Sequence, residues 1–554
     1  MERTDEGLSS TAGARDPDPL ILAGGPILTM ADPERVEAVA LRGDRILCAG
    51  SLVDCRAIAG ERRQERDLGG LVLIPGFVDA HIHPLMYGQT ASWTDVGPQR
   101  ASSIDALIEL LAGRAAELEP GTPLWAYGYD QRRLAERRHP TAADLERAAP
   151  GRAVYVMHSS GHGAVVSSTA LDLAGIDATT PDVPGGEIGR GADGKPDGRL
   201  MDAAWDLALG ADGVKIGRHG PNIHVPESPE VLTGHLESAQ LAILRAGITT
   251  VFDAQVSRRE LETYLRLRDR GQLRMRVHLM VISSLLDEVL ELGLVAPLGD
   301  AWLRFAGIKL YADGTLIGRT AFFPDGYPGE PHEHGLLYHD PHEFTELLGR
   351  AHGAGLQTGT HALSPAAIGL VLDAIEEAAA RAPRADARHR IEHCALPTDE
   401  QIARMARLGV IPIAQSQHMR GYGDGAVSAA GEEIGQRYHP LGLFARAGIR
   451  FALSSDAPVA PPAPLVAVQA AVERRTVLGT RLGGDDLRVD AKQALRAYTI
   501  DAAHAGHVET MVGSIEPGKL ADFAILDGDP TEADAGGIGS IAVKETWLAG
   551  ERVA

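Results

Sequence analysis

The stretch that decides the fold runs from Leu71 to Pro84, "LVLIPGFVDAHIHP", an apolar run that ends in two histidines one residue apart. Its first ten residues, "LVLIPGFVDA", read as a buried strand. Residues two apart on a strand point to the same side, so His81 and His83 face a single point in space from the strand end. Two converging imidazoles suit one metal ion, although a His-x-His alone is as often a strand end making ordinary hydrogen bonds.

Downstream, from Gly247 on, strand-like apolar runs alternate with amphipathic helical stretches, the pattern of βα units around a parallel sheet. The expected strands are "GITTVFDA", "RMRVHLMVI", "AGIKLYADG", "GLQTGTHAL", "RHRIEHC", "GVIPIAQSQ" and "IRFALSSDAP"; with the first run they make eight. This predicts an α/β chain with a closed (β/α)8 TIM-like barrel, a fold that carries its chemistry at the C-terminal ends of the strands. Four later strands end in Lys309, His361, His393 and Asp456. Taken singly, each has an ordinary explanation as a hydrogen-bonded core residue, a cap or a turn. Arriving in order at successive strand ends, they form a set of imidazole and carboxylate donors suited to zinc or a similar divalent ion.

Outside the barrel, "LILAGGPILTM" and "VEAVALRGDRILCAG" near the front have strand character, as do "GSIEPGKLADFAILDGDP" and "GSIAVKETWLAGERVA" at the back. Both chain ends are therefore expected to build one small β-sandwich, residues 19–70 plus 508–554, with the barrel at 71–507. Residues 89–230, rich in Gly, Pro and Asp around "TPDVPGGEIGRGADGKPDGR", are too long for a loop and read as an inserted lid or subdomain. Residues 1–18 are polar and expected to be a disordered extension.

Composition narrows the function classes. The 554 residues are 44% hydrophobic and 23% charged, ordinary for a soluble globular protein. A formal charge of −22 argues against nucleic acid or an anionic membrane as partner. The three cysteines, Cys48, Cys55 and Cys394, lack the spacing of a disulfide framework or thiolate site, which fits a reducing compartment. With no signal-like apolar core and no run of ~18 apolar residues, the expected location is the cytoplasm. The expected partner is a small-molecule substrate, and a homodimer is the base-rate assembly.

The order of two histidines, a lysine, two histidines and an aspartate resembles the amidohydrolase superfamily. The wording "PGFVDAHIHP", "GIKLYADGTLIGRTA", "RIEHC", "SSDAPV" and "GSIEPGKLADFAIL" resembles its YtcJ-like, family-3 branch. The resemblance spans nearly the whole chain, including "LWAYGYD", "SSGHGAVVSSTAL" and "PGGEIGRGADGKPDG" in the insertion. It implies that His81, His83 and Asp456 hold the more buried of two zinc ions, and that His361 and His393 hold the other. Lys309, which as an ammonium has no lone pair, would bridge both ions after taking up carbon dioxide as a carbamate. Left uncarboxylated in an ion pair, it would leave a site for a single ion.

The chemistry then follows from the donors. A bound dication acidifies water and polarises a carbonyl. Asp456 is placed to take the proton from the attacking water and deliver it to a leaving nitrogen. The expected reaction is hydrolysis of a C–N bond in an N-acyl or N-formyl compound. The alternatives are a deaminase, imine hydrolase or lactonase on the same scaffold, and, from another class, a silent binding protein.

Further candidates lie outside the metal set. The resemblance brings His162 of "SSGHGA" towards the substrate, although Ser160 stands where the family usually has Asp, and a structural role in a Gly-rich turn is the other reading. Tyr129 of "YGYD" is either near the substrate or subdomain core. Tyr311 shares the inward face of Lys309. Arg319 would pair with a substrate carboxylate or, preferably, with Asp313. His418 follows the seventh strand, as pocket lining or as a solvent-facing loop residue. Where the family commonly has Gly-Asp after the fifth strand, this chain has Ser364 and Pro365, which removes a carboxylate that would support the ligands. Cys394, beside His393, reads as a buried structural thiol.

Overall fold

The computed structural model describes residues 17–209, 215–222 and 224–554. The expected disordered extension falls, but for Pro17 and Asp18, outside the described residues. At the centre is a nearly closed sheet of parallel strands, numbered here β1 (Phe77–Ile82), β2 (Ile248–Val256), β3 (Arg276–Ile282), β4 (Leu303–Tyr311), β5 (Gln357–Ala362), β6 (Arg390–His393), β7 (Ile411–Ala414) and β8 (Ala452–Leu453). Each overlaps one of the eight expected runs, but β2 continues past its run to Val256 and β4 begins ahead of its run at Leu303.

The first run is not one strand. Val72–Pro75 belongs to a different sheet, and the chain passes from it into β1 at Gly76. A Cβ at Gly76 would sit 2.3 Å from Thr249 Oγ1, so glycine is required where the two sheets meet. The apolar continuity that made the run look like one strand arises because both halves are buried in their own sheets.

Barrel closure has a particular form. β1 and β8 stand at the two edges of the sheet order and share no strand ladder. Their C-terminal ends are joined by Asp456 N donating to His81 O at 2.8 Å and His83 N donating to Ala457 O at 3.0 Å. Below these, the Asp79 carboxylate accepts from Ser455 N at 3.1 and 3.2 Å. The seam is thus stitched by the same short segments that carry three of the expected metal ligands.

Amphipathic helices cover the barrel. Residues 365–381 show why: Ile368, Val371, Leu372 and Ile375 recur at helical spacing and are buried, while the opposite side carries Asp373, Glu376 and Glu377. Ser364 caps this helix, accepting from Ala367 N at 3.1 Å, and Pro365 occupies its first turn. The departure from the family's Gly-Asp is therefore a helix start. Outside the barrel, strands from both chain ends share one sheet, in which Leu20–Leu28 pairs with Arg35–Arg42 and Val72–Pro75 pairs with Phe523–Leu526. That sheet extends past the expected boundary at residue 70, up to Gly76. The inserted segment carries its own six-stranded sheet between Thr94 and Asp202. No helix among the described residues is long and apolar enough to cross a membrane.

Candidate metal centre

All six expected ligands sit at or just beyond the C-terminal ends of barrel strands: His81 on β1, His83 just beyond it, Lys309 on β4, His361 on β5, His393 on β6 and Asp456 after β8. They line one small cavity. Register contributes to this convergence. Tyr311 lies opposite His361, and Ala362 lies opposite His393, so the last residues of β4, β5 and β6 climb in step around the rim. His393 and Asp456 have φ of 69° and 58°, a left-handed conformation that costs non-glycine residues roughly 1–3 kcal/mol each and clusters at functional sites.

The imidazoles are polarised in one sense. His81 Nδ1 lies 2.6 Å from Glu392 Oε2, His361 Nε2 lies 3.1 Å from Gly314 O, and His393 Nδ1 lies 2.9 Å from Gln415 Oε1. Each ring thus donates its proton to an oxygen and keeps the other nitrogen's lone pair, the arrangement that orients histidine ligands. His81 Nε2 and His83 Nε2 approach Asp456 Oδ1 at 3.4 and 3.2 Å. Among the described residues, two sets of donor atoms stand close enough together to share an ion: His81, His83 and Asp456, and His393, His418 and Asp456. His361 faces His393 across the cavity, with ring centroids 4.5 Å apart.

Electrostatics favour donors in the right protonation state. Burial, helped by the positive charge of Lys309, brings the His81 imidazole down to about 4. Burial likewise holds His361 and His393 well below the usual range, so all three are neutral. Burial opposes ionisation of Asp456, but the imidazoles of His81, His83 and His418 outweigh it and keep the carboxyl below its ordinary range. Lys309 is fully buried, and its Nζ has no hydrogen-bond partner among the described residues. Burial lowers its ammonium to about 8, against the opposing pull of Glu392 and Asp456. An orphaned amine among imidazoles and a carboxylate fits a group whose contacts are completed by something bound or attached there.

Glu392, inside "RIEHC", is a further residue of the site. It is fully buried and, besides His81, accepts from Arg390 Nε at 2.7 Å and Nη2 at 3.0 Å. Burial works against its charge, yet Arg390 and His81 bring the carboxyl down to about 2. The sequence signal was an Arg-x-Glu pair inside an apolar strand, where unpaired charge is not tolerated. Glu392→Gln is expected to weaken metal binding about 10- to 100-fold, because it removes the charge that orients His81. Chelator competition on the purified protein measures it, and unchanged affinity would reject the role.

The tentative residues separate. His162 reaches the cavity from the insertion, with its ring centroid 5.0 Å from that of His361. Its Nδ1 lies 2.8 Å from Asp202 Oδ1, which also accepts from the Tyr338 hydroxyl at 2.5 Å. Ser160, the departure from Asp, accepts from His162 N at 3.2 Å and so shapes the same turn. Tyr311 lines the cavity and donates its hydroxyl to Gln255 Oε1. His418 is buried at the start of a helix, not on a solvent-facing loop, and its Nε2 stands 3.7 Å from Asp456 Oδ2.

Two expectations need correction. Tyr129 does not line the cavity: it is buried in the core of the insertion, its hydroxyl 2.9 Å from His139 Nδ1. Arg319 pairs neither with Asp313 nor with the cavity; its guanidinium bonds Glu330 near the surface and lies over the Tyr327 ring. Asp313 is spent on backbone amides, accepting from Phe322 N, Leu363 N and Ser364 N at 3.0–3.1 Å. It ties the loop after β4 to the one after β5 and leaves no need for a cation. Asp313→Ala strands those buried N–H groups and is expected to cost about 3 kcal/mol in urea unfolding; a loss below about 1 kcal/mol would show the tie to be dispensable. Cys394 is buried, and burial raises its thiol above the usual range, which suits neither nucleophile nor ligand.

Comparison with known proteins places this geometry in context. A family model described as the amidohydrolase family matches residues 64–554. The chain is 29% identical to an N-substituted formamide deformylase of Arthrobacter pascens over 522 residues, covering 93% of this chain and 94% of that protein. It is 28% identical to a protein of Bacillus subtilis described as the putative amidohydrolase YtcJ, covering 96% and 98%. Among solved structures, an uncharacterized metal-dependent hydrolase from Pyrococcus horikoshii superposes with a TM-score of 0.74 at 25% identity, over 94% of this chain and 99% of that one.

Proposed function

The chain belongs to the amidohydrolase family, and from that membership we propose that it hydrolyses the C–N bond of a small N-acyl or N-formyl compound. The observation that carries the reading is the set of oriented, neutral imidazoles grouped with Asp456 around the orphaned Lys309 amine. The name of the Arthrobacter pascens relative, a formamide deformylase, favours small acyl groups. His81, His83 and Asp456 would hold one divalent cation, zinc by donor type; His361 and His393, with Lys309 as a carbamate, would hold a second. His418 is close enough to contribute beside His393.

A cation bound there supplies positive charge that acidifies an attacking water and polarises the acyl oxygen. The protein's own residues handle the proton. Asp456 accepts it from the water as the C–O bond forms, then delivers it to nitrogen as the C–N bond breaks, leaving a carboxylic acid and an amine. His418 Nε2 stands 3.7 Å from Oδ2, while Oδ1 faces His81 and His83. His162, its Nδ1 fixed by Asp202, presents Nε2 to the cavity opposite Asp456 and positions the acyl oxygen. The composite sheet of both chain ends and the sheet-bearing insertion act as separate units around the barrel, the insertion supplying His162 to the active cavity.

The experiment is metal stoichiometry on protein purified without added metal or chelator, intact mass before and after mild acid, and a screen of N-formyl and N-acetyl amines. Two ions, an acid-labile carbon dioxide adduct and release of amine plus acid are expected. Release of ammonia would instead identify a deaminase, and no metal after reconstitution would overturn the enzymatic reading.

A further inference from the structure

Beside the active cavity, with Val459 in the wall of both, lies a larger groove that forms a vestibule. Its walls are mostly apolar, with Tyr127, Tyr422, Pro458, Pro461 and Val477 among them. The Tyr127 hydroxyl donates to Ser159 O and the Tyr422 hydroxyl to Val459 O, each at 3.0 Å. With both hydroxyls spent on backbone, these residues offer a ligand ring surface.

Tyr127 is the other aromatic of "YGYD". Two residues apart on a regular strand, it and Tyr129 would share a face. Gly128, at φ 105°, coincides with a register shift between them, so Tyr129 enters the insertion core while Tyr127 lines the vestibule.

Charge adds a second, independent feature. Arg133 and Arg420 line the vestibule, and neither side chain has an ion pair or hydrogen bond among the described residues. The one acid lining it, Asp130, is already held by the neighbouring Arg132 through contacts of 2.9 and 2.7 Å. In a chain of formal charge −22, an active-site approach with two uncommitted guanidinium groups is set against the surrounding field.

Direction comes from Asp456. Asp456 itself lines the inner cavity, and the segment that follows it, Pro458 to Pro461, forms vestibule wall, so a nitrogen beside Asp456 has its substituent leading towards that wall. The acyl group then occupies the smaller inner cavity, and the nitrogen substituent runs outward.

We propose that the vestibule selects amides whose nitrogen carries an apolar, ring-bearing substituent ending in a carboxylate, the ring lying against Tyr127 and Tyr422 and the anion meeting Arg133 and Arg420. This rests on the C–N hydrolase reading above. Guanidinium is the side chain best matched to a carboxylate, and an apolar ring with one anionic end satisfies both features at once.

The test compares N-phenethylformamide with its para-carboxylate counterpart in wild type and in the Arg133→Ala/Arg420→Ala double variant. The wild type is expected to favour the carboxylate by about tenfold in kcat/KM, and the preference to fall to near parity in the double variant and at high salt. Parity in the wild type, or a preference that survives in the double variant, overturns the proposal. If neither compound is hydrolysed, the functional reading fails instead, and the vestibule is judged by calorimetry with para-carboxyphenethylamine. Binding lost in the double variant supports the proposal; equal binding to both proteins overturns it.

Discussion

Asp456→Asn is expected to lower kcat by about a thousandfold, the upper-middle range for loss of a positioned acid–base group. The substitution keeps one oxygen in place but removes the charge that accepts the water's proton and the acid that releases the nitrogen. The backbone contributions of this residue are untouched: its N–H still donates to His81 O, and the left-handed φ of 58° is one asparagine tolerates as well as aspartate. Melting temperature in chelator should therefore move by only a few degrees, while turnover of any amide found in the screen collapses. Activity within tenfold of wild type would remove Asp456 from the chemistry.

The second large effect is at Lys309. Lys309→Met keeps the volume of the side chain and removes the amine that would join both cations. Metal content should fall from two ions per chain to one or none, with activity down at least about a thousandfold. The metal-free variant should melt no lower than metal-free wild type, because an orphaned buried amine has been exchanged for an apolar group. pH gives a further check. Carbamate formation needs the neutral amine, and burial brings the ammonium from 10.5 to about 8, so neutral amine accumulates as pH rises through about 8. Loading of metal-free wild type with zinc and bicarbonate should rise between about pH 7 and pH 9 and be absent in the variant. Two ions retained by Lys309→Met would overturn the bridge.

How much of this was legible in sequence depends on the range of the interaction. The barrel strands were readable because each is a short apolar run bounded by turns, and the strand-end positions of the six candidate ligands because they terminate those runs in order. Glu392 was harder: alternation puts it opposite His393, but the left-handed turn at His393 breaks alternation, so both serve the cavity. Tyr129 stayed open between pocket and subdomain core for a similar reason, the bulge at Gly128. Pairings such as His162 with Asp202, Tyr338 with Asp202, and Arg319 with Glu330 depend on how loops fold back on one another, and no periodicity records that. Gly76 was visible, but its meaning was not, because only the approach of Thr249 shows why a side chain cannot stand there.

The seam between β1 and β8 has a consequence for how the protein is handled. Elsewhere, neighbouring strands are zipped by their own ladder, whereas here two strand ends are held by a few amide contacts, and their side chains converge on one cation site. A cation gripped by His81 and His83 on one bank and Asp456 on the other would be a clasp as well as a reagent. Chelation would then loosen the cylinder along one line, with hydrogen exchange quickening first along 77–83 and 452–457. On that reading, heat tolerance would report metal loading, and a destabilised variant should be reloaded with metal before its fold is blamed.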